Sequence, residues 1–281
     1  MLEIPNHVTL TEGVGGLPKV CVKTATSSAV VYLHGAHVTH FQKKGEEPLL
    51  FMSVESDFSD SKAIRGGIPI IYPWFGPREG FPAHGIARTT TWELVDTELD
   101  SAGAVSLRFR LPSDDALRVE YIVKVSDELS LELNISNRGN TEQSFETCLH
   151  TYFEIGSIHT VSVQGLAGRT YFDKVAGAEA VEKSESIKFS SEVDRVYQDS
   201  SPVVEIIDPT LERKILVRKS GSKSTVVWNP WIKKSSAMAD FGDDEYLGMV
   251  CVESGNVASD RTVLPAGASA VLKVQLSSEH I

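Results

Sequence analysis

Residues 117–136, LRVEYIVKVSDELSLELNIS, decide the fold class. Leu117, Val119, Tyr121, Val123 and Val125 alternate with Arg118, Glu120 and Lys124, and Leu129, Leu131, Leu133 and Ile135 alternate with Ser130, Glu132, Asn134 and Ser136. A period of two is that of a half-buried antiparallel strand. Residues 104–111 show the same alternation, and 29–41 (AVVYLHGAHVTHF) form a longer β-branched run. Further strand-like runs follow at 143–153, 160–163, 203–207, 214–217, 225–228, 248–252 and 270–275. Turn chemistry separates them at Pro112-Ser113-Asp114-Asp115, Asn137-Arg138-Gly139-Asn140, Lys219-Ser220-Gly221-Ser222 and Pro265-Ala266-Gly267. Helical periodicity is nearly absent, with one short turn expected at 235–240. Regular strand spacing without a linker or repeat predicts an all-β protein. It should be one large antiparallel β-sandwich with few short helices, a single domain over 1–281.

Composition narrows the partners. The 281 residues are 41% hydrophobic and 23% charged, with a net charge of −11. A globally acidic surface argues against nucleic acid or an anionic membrane as partner, while a local arginine cluster can still receive a small anion. Cys21, Cys148 and Cys251 form neither a disulfide framework nor a CxxC pair, and fit a reducing compartment. The N-terminal stretch reads as no secretory signal, and no apolar run approaches a membrane span. The cytoplasm is the expected location.

Residues 64–88, IRGGIPIIYPWFGPREGFPAHGIAR, break the strand rhythm. Pro69, Pro73, Pro77 and Pro82 exclude a long helix or a central strand, and five glycines supply bends. A stiff loop carrying Trp74, Phe75, Arg78 and His84 either covers a sheet or shapes a site. Arg65 and Arg88 flank it as an anion-binding pair would.

Several polar residues sit in apolar frames. Glu253 ends the run Met249-Val250-Cys251-Val252-Glu253. It reads either as a buried carboxyl of raised pKa, a candidate general base, or as a solvated cap on a Ser254-Gly255-Asn256 turn. His150, within Phe145–Phe153, reads either as a satisfied core histidine or as a proton-transfer group. Asp194 and Arg195 read on their own as a solvated ion pair, and Lys233 and Lys234 as solvated cations. His34, His37 and His40 recur every three residues, which a strand splits between two faces, so no metal site is expected. No phosphate-cradling glycine loop of the common nucleotide-binding kinds is present.

Taken together, the strings IRGGIPIIYPWFGP (64–77), HGIAR (84–88), LHTYF (149–153), DRVY (194–197), VVWNPWIKKSSAMADF (226–241) and CVESG (251–255) resemble the aldose 1-epimerase superfamily. Within it they resemble the glucose-6-phosphate 1-epimerase branch. The motifs run in the family's order over most of the chain. The resemblance implies a cofactor-independent isomerase that interconverts sugar anomers by ring opening and reclosure. His150 would be the general acid and Glu253 the general base. Asp194 would bind sugar hydroxyls, Arg65 and Arg88 the phosphate, and His84 and Trp74 would complete the substrate contacts. A small-molecule sugar phosphate is the implied partner, with the protein acting as a monomer and needing no metal or other cofactor. Two positions depart from the family pattern. Ala83 stands where a substrate-binding glutamine is usual, and Ser254 where a proline commonly follows the glutamate. A free-aldose mutarotase and a non-catalytic hexose-phosphate binder are the alternatives.

Overall fold

The alternation of 117–136 becomes a hairpin. In the computed structural model, which describes residues 2–113 and 116–281, Leu117–Val125 pairs antiparallel with Leu129–Asn137, and every second residue of each strand is buried. Residues 114 and 115 of the expected turn at 112–115 lie outside the described residues. The hairpin belongs to a nine-stranded sheet that runs from Ser186–Ile187 through Ser162–Gln164, Val203–Asp208, Arg213–Ser220 and Ser269–His280. It continues through the hairpin to Val105–Arg110 and Glu93–Leu99.

A second, eight-stranded sheet runs in the order Ala178–Val181, Thr170–Asp173, Val193–Tyr197, Ser224–Asn229, Met249–Asn256, Thr147–Leu149 and Ile70–Ile71. Tyr152–Glu154 also pairs with Met249–Asn256. One hydrophobic cluster draws Leu107, Phe109, Tyr121 and Leu133 from the first sheet, and Phe153, Val227, Val250 and Val252 from the second. This shared core, excluding water between two antiparallel sheets, is the expected β-sandwich. A four-stranded sheet, Val8–Glu12 to His37–Lys43, adds to it.

The structure corrects three expectations. Residues 29–41 are two strands, Ser27–Tyr32 and His37–Lys43, because Gly35 and Ala36 turn the chain at φ 75° and 44°. Both sides of that turn are buried, so hydropathy gave no break. Residues 143–153 likewise split into Gln143–Phe145, Thr147–Leu149 and Tyr152–Glu154. The helical turn falls at Trp231–Ser235 rather than 235–240, starting after Pro230, whose ring already fixes φ at −69°.

The two central strands of the second sheet are buried on both faces: every residue of Ser224–Asn229 is buried, as is Met249–Asn256 up to its last residue. One face meets the core, and part of the other is covered from the loop at 64–88 through Ile71 and Phe75, which pack on Cys148, Val196 and Val226. The loop is anchored at its root. The His37 Nε2–H donates to the Gly66 carbonyl at 2.8 Å, and Gly67 packs against Val38 at φ 58°. A Cβ on Gly67 would lie 2.3 Å from the Val38 carbonyl oxygen, a fixed backbone atom. Gly45 also has positive φ, 85°, but its Cβ would meet nothing within 4 Å. Gly45→Ala should therefore lose only about 1 kcal/mol, the backbone term. Gly67→Ala should lose at least about 2 kcal/mol more, because the loop root must shift. Denaturant titration of both variants measures the difference.

Candidate active site

Strand register assembles a polar cluster on the loop-covered face. Asp194 lies opposite Trp228, Trp228 opposite Cys251, and Cys251 opposite Tyr152. Glu253 is two residues beyond Cys251, and Cys148 lies opposite Gly255, two further on. Because alternate residues share a face, Asp194, Trp228, Tyr152, Cys148 and Glu253 all project the same way.

His150 joins them from the break between Thr147–Leu149 and Tyr152–Glu154, where its N–H leaves the strand ladder to bond the Pro69 carbonyl at 3.0 Å. Its ring stacks on Tyr152 at 4.8 Å and 14°, and stands edge-on to Trp228 at 6.0 Å. The His150 Nε2 is 3.2 Å from Glu253 Oε1. The other carboxyl oxygen of Glu253 accepts from the Cys148 thiol at 3.4 Å.

Glu253 is 1% exposed, so the buried reading holds and the cap reading fails. Ser254, Gly255 and Asn256 continue the strand instead of turning. Burial raises the Glu253 pKa to about 8; Asp194 adds to this, while Lys174, the Cys148 thiol and Arg88 oppose it. His150 is pushed well below the usual imidazole range, first by burial and then by His84, Arg88 and Arg65. Near neutral pH the pair thus holds a single proton, and its neutral form avoids isolating a charge from water. Moving that proton across the 3.2 Å contact makes the ion pair without any exchange with solvent.

The loop brings His84 to the same place. Its Nδ1 accepts from the Gly76 N–H at 3.3 Å. Burial, then Arg88, Lys174 and Arg65, lowers its pKa to about 3. The imidazole is therefore neutral, with its hydrogen on Nε2. Phe75 stands edge-on to His84 at 4.9 Å, and His84 to His150 at 5.9 Å. Glu146 fixes this arrangement by accepting from the Phe75 N–H at 3.0 Å and the Ala258 N–H at 2.8 Å.

Both arginines lie close enough to depress the pKa of His150. Arg88 Nη2 donates to the Ala83 carbonyl at 2.8 Å. Arg65 makes a side-on pair with Asp240 at 3.0–3.2 Å and donates from Nη1 to the Tyr152 hydroxyl at 2.9 Å.

Other placements differ from the sequence reading. Trp74 stands apart from the cluster: its indole N–H donates to the Pro82 carbonyl at 3.0 Å, and its ring meets Phe81 and the Arg78 guanidinium. It is Phe75 that stands edge-on to His84, where Trp74 was expected. Asp194 and Arg195 are neighbours on the strand Val193–Tyr197 and are therefore split between its faces. Arg195 pairs with Glu182 and Asp173, whereas Asp194 sits between Lys174 at 3.5 Å and Lys234 at 3.6 Å. Lys234, read as a solvated cation, also pairs with Glu192 at 2.8 Å. His34, His37 and His40 each bond a different partner: the Lys62 carbonyl, the Gly66 carbonyl and the Ser28 hydroxyl.

Lys174, Tyr152, Cys148 and Asp240 belong to the cluster but were not chosen from sequence as site residues. Lys174 holds its ammonium 4.5 Å over the Phe75 ring. A lone lysine in a hairpin turn carries no signal; Tyr152 and Cys148 were visible only as neighbours of His150.

Comparisons with known proteins place the chain in a family. Residues 18–277 match the aldose 1-epimerase family. A Cenchrus ciliaris protein, provisionally named glucose-6-phosphate 1-epimerase, is 36% identical over 271 residues, covering 89% of this chain and 82% of its own. Its provisional namesake from Escherichia coli (strain K12) is 37% identical over 246 residues, covering 82% and 80%. Among solved structures, a provisionally named mutarotase from Salmonella typhimurium superposes with a TM-score of 0.92 at 30% identity, covering 100% of this chain and 96% of the other. With the sandwich and a match over nearly its whole length, the protein is an epimerase of the aldose 1-epimerase family.

Proposed function

We propose that this epimerase interconverts the α and β anomers of a hexose 6-phosphate, glucose 6-phosphate foremost. The observation that carries the reading is the His150–Glu253 contact at 3.2 Å, with Arg65 and Arg88 both within electrostatic reach of His150. Glucose-6-phosphate 1-epimerase is also the provisional name of the curated relatives.

Ring opening needs a proton delivered to the ring oxygen and another removed from the anomeric hydroxyl. In the ion-pair form, His150 gives the first and Glu253 takes the second. The pair then carries neutral His150 and protonated Glu253, the form that burial already favours. Once the aldehyde has rotated, the same groups run in reverse: Glu253 returns a proton to the aldehyde oxygen and His150 accepts one from the ring hydroxyl. The proton count of the pair is unchanged over the cycle, so neither step calls for an exchange with solvent. Asp194, held between two lysines, offers carboxylate oxygens to sugar hydroxyls, and the His84 Nε2–H is a neutral donor beside them. Arg88, Lys174 and the unused donors of Arg65 supply the positive charge for a phosphate. Ala83 contributes only its carbonyl, which holds Arg88.

Four outcomes test the reading. Glu253→Gln should fold and lose roughly 10²–10⁴-fold in anomer exchange on glucose 6-phosphate, followed by NMR; retained exchange would reject the base. In the wild type, kcat/KM should fall above about pH 8 as the pair loses its proton. The same shift has a stability sign. With a folded pKa of about 8 against 4.5 unfolded, Glu253 contributes stability below pH 4.5 that is lost as the pH rises to 8. The Tm of Glu253→Gln should accordingly gain on that of the wild type between pH 5 and pH 8. Arg88→Ala should raise KM for glucose 6-phosphate far more than for free glucose; an equal rise for both would favour a free-aldose mutarotase.

A further inference from the structure

Arg65 is held on two sides before any ligand arrives. Its Nε and Nη2 donate side-on to Asp240 at 3.2 and 3.0 Å, and Nη1 donates to the Tyr152 hydroxyl at 2.9 Å. A guanidinium carries five N–H groups in one plane, and three suffice for these bonds. With Nε and Nη2 held on Asp240 and Nη1 on the Tyr152 hydroxyl, one N–H of Nη1 and one of Nη2 are left to donate to phosphate oxygens. The Arg65 side chain is not sealed off, keeping 22% exposure.

Asp240 comes from the turn that follows the Trp231–Ser235 helix, 175 residues from Arg65 in sequence. It also stands close enough to Arg88 to favour that guanidinium's charge, where Arg65 acts against it. One carboxylate thus orders one arginine and offsets its repulsion of the other.

We propose that Asp240 is a positioning residue for phosphate recognition, locking the Arg65 guanidinium so that its remaining N–H groups are presented to the phosphate of the substrate. This rests on the sugar-phosphate reading above. Without the carboxylate, Arg65 keeps its charge but loses its fixed orientation, and the long side chain must be ordered when the ligand binds.

Asp240→Asn tests the role, because it keeps the side chain's size on a part-exposed turn and removes the charge. Steady-state exchange kinetics would be compared on glucose 6-phosphate and free glucose, with inorganic phosphate as a competitive probe. The expected result is a rise of about ten-fold in both KM for glucose 6-phosphate and Ki for phosphate, while kcat and the KM for free glucose stay as in the wild type. A fall in KM or Ki would show that Asp240 competes with the ligand, and would overturn the proposal. No change would overturn it too, as would an equal rise for free glucose or a drop in kcat, which a purely structural role produces. A wild-type enzyme indifferent to phosphate and to the 6-phosphate group would instead defeat the sugar-phosphate reading itself, and the Asp240 role with it.

Discussion

A carboxyl group placed at 1% exposure in the middle of a sheet must be answered by its neighbours, and Glu253 is answered on both oxygens. His150 meets one and the Cys148 thiol the other. These partners come from the adjoining stretch of chain, so the strand pairing that builds the sandwich also fixes the acid–base pair. A slip of one residue in the Met249–Asn256 ladder would send Glu253 into the core and bring Val252 to the site face. The chemistry is therefore as well specified as the fold.

The loop supplies what the sheet cannot. Two central strands buried on both faces leave no room for water over Glu253 except where the loop permits it. Glu146 ties Phe75 to Ala258, just beyond Glu253's strand, and His37 holds Gly66 at the loop's root. His84, Arg65 and Arg88 arrive through backbone geometry that prolines and glycines make stiff, which suits groups that must meet a ligand without reorganising.

Much of this was legible in the chain. Alternation located Leu117–Val125 and Leu129–Asn137 almost to the residue, since one face of each meets the core and the other is more open. It failed at 29–41, where both sides of the Gly35 turn are buried and hydropathy shows no break. The residues His150, Glu253, Asp194, Arg65, Arg88 and His84 were named from apolar context and family motifs, and they do converge. Trp74 packs instead on Phe81 and Arg78, since aromatic content does not say which of two adjacent rings faces the cluster. Lys174 and Asp240 were not picked out because their roles depend on partners distant in sequence. Lys174 reaches Asp194 across a strand pair, and Asp240 reaches Arg65 from a turn. Such contacts follow from topology, and no local pattern announces them.

The tip of the loop has a different standing from its base. Below it, Gly85 bridges to Tyr72 and Phe75 is fastened to Glu146. Above these ties, Pro77, Arg78, Glu79, Gly80, Phe81, Pro82 and Ala83 are all exposed, and Gly80 touches nothing with the place its Cβ would occupy. Change there is mechanically insulated from the acid–base pair. Insertions or substitutions at the tip can therefore accumulate without disturbing the Glu253–His150 contact beneath it.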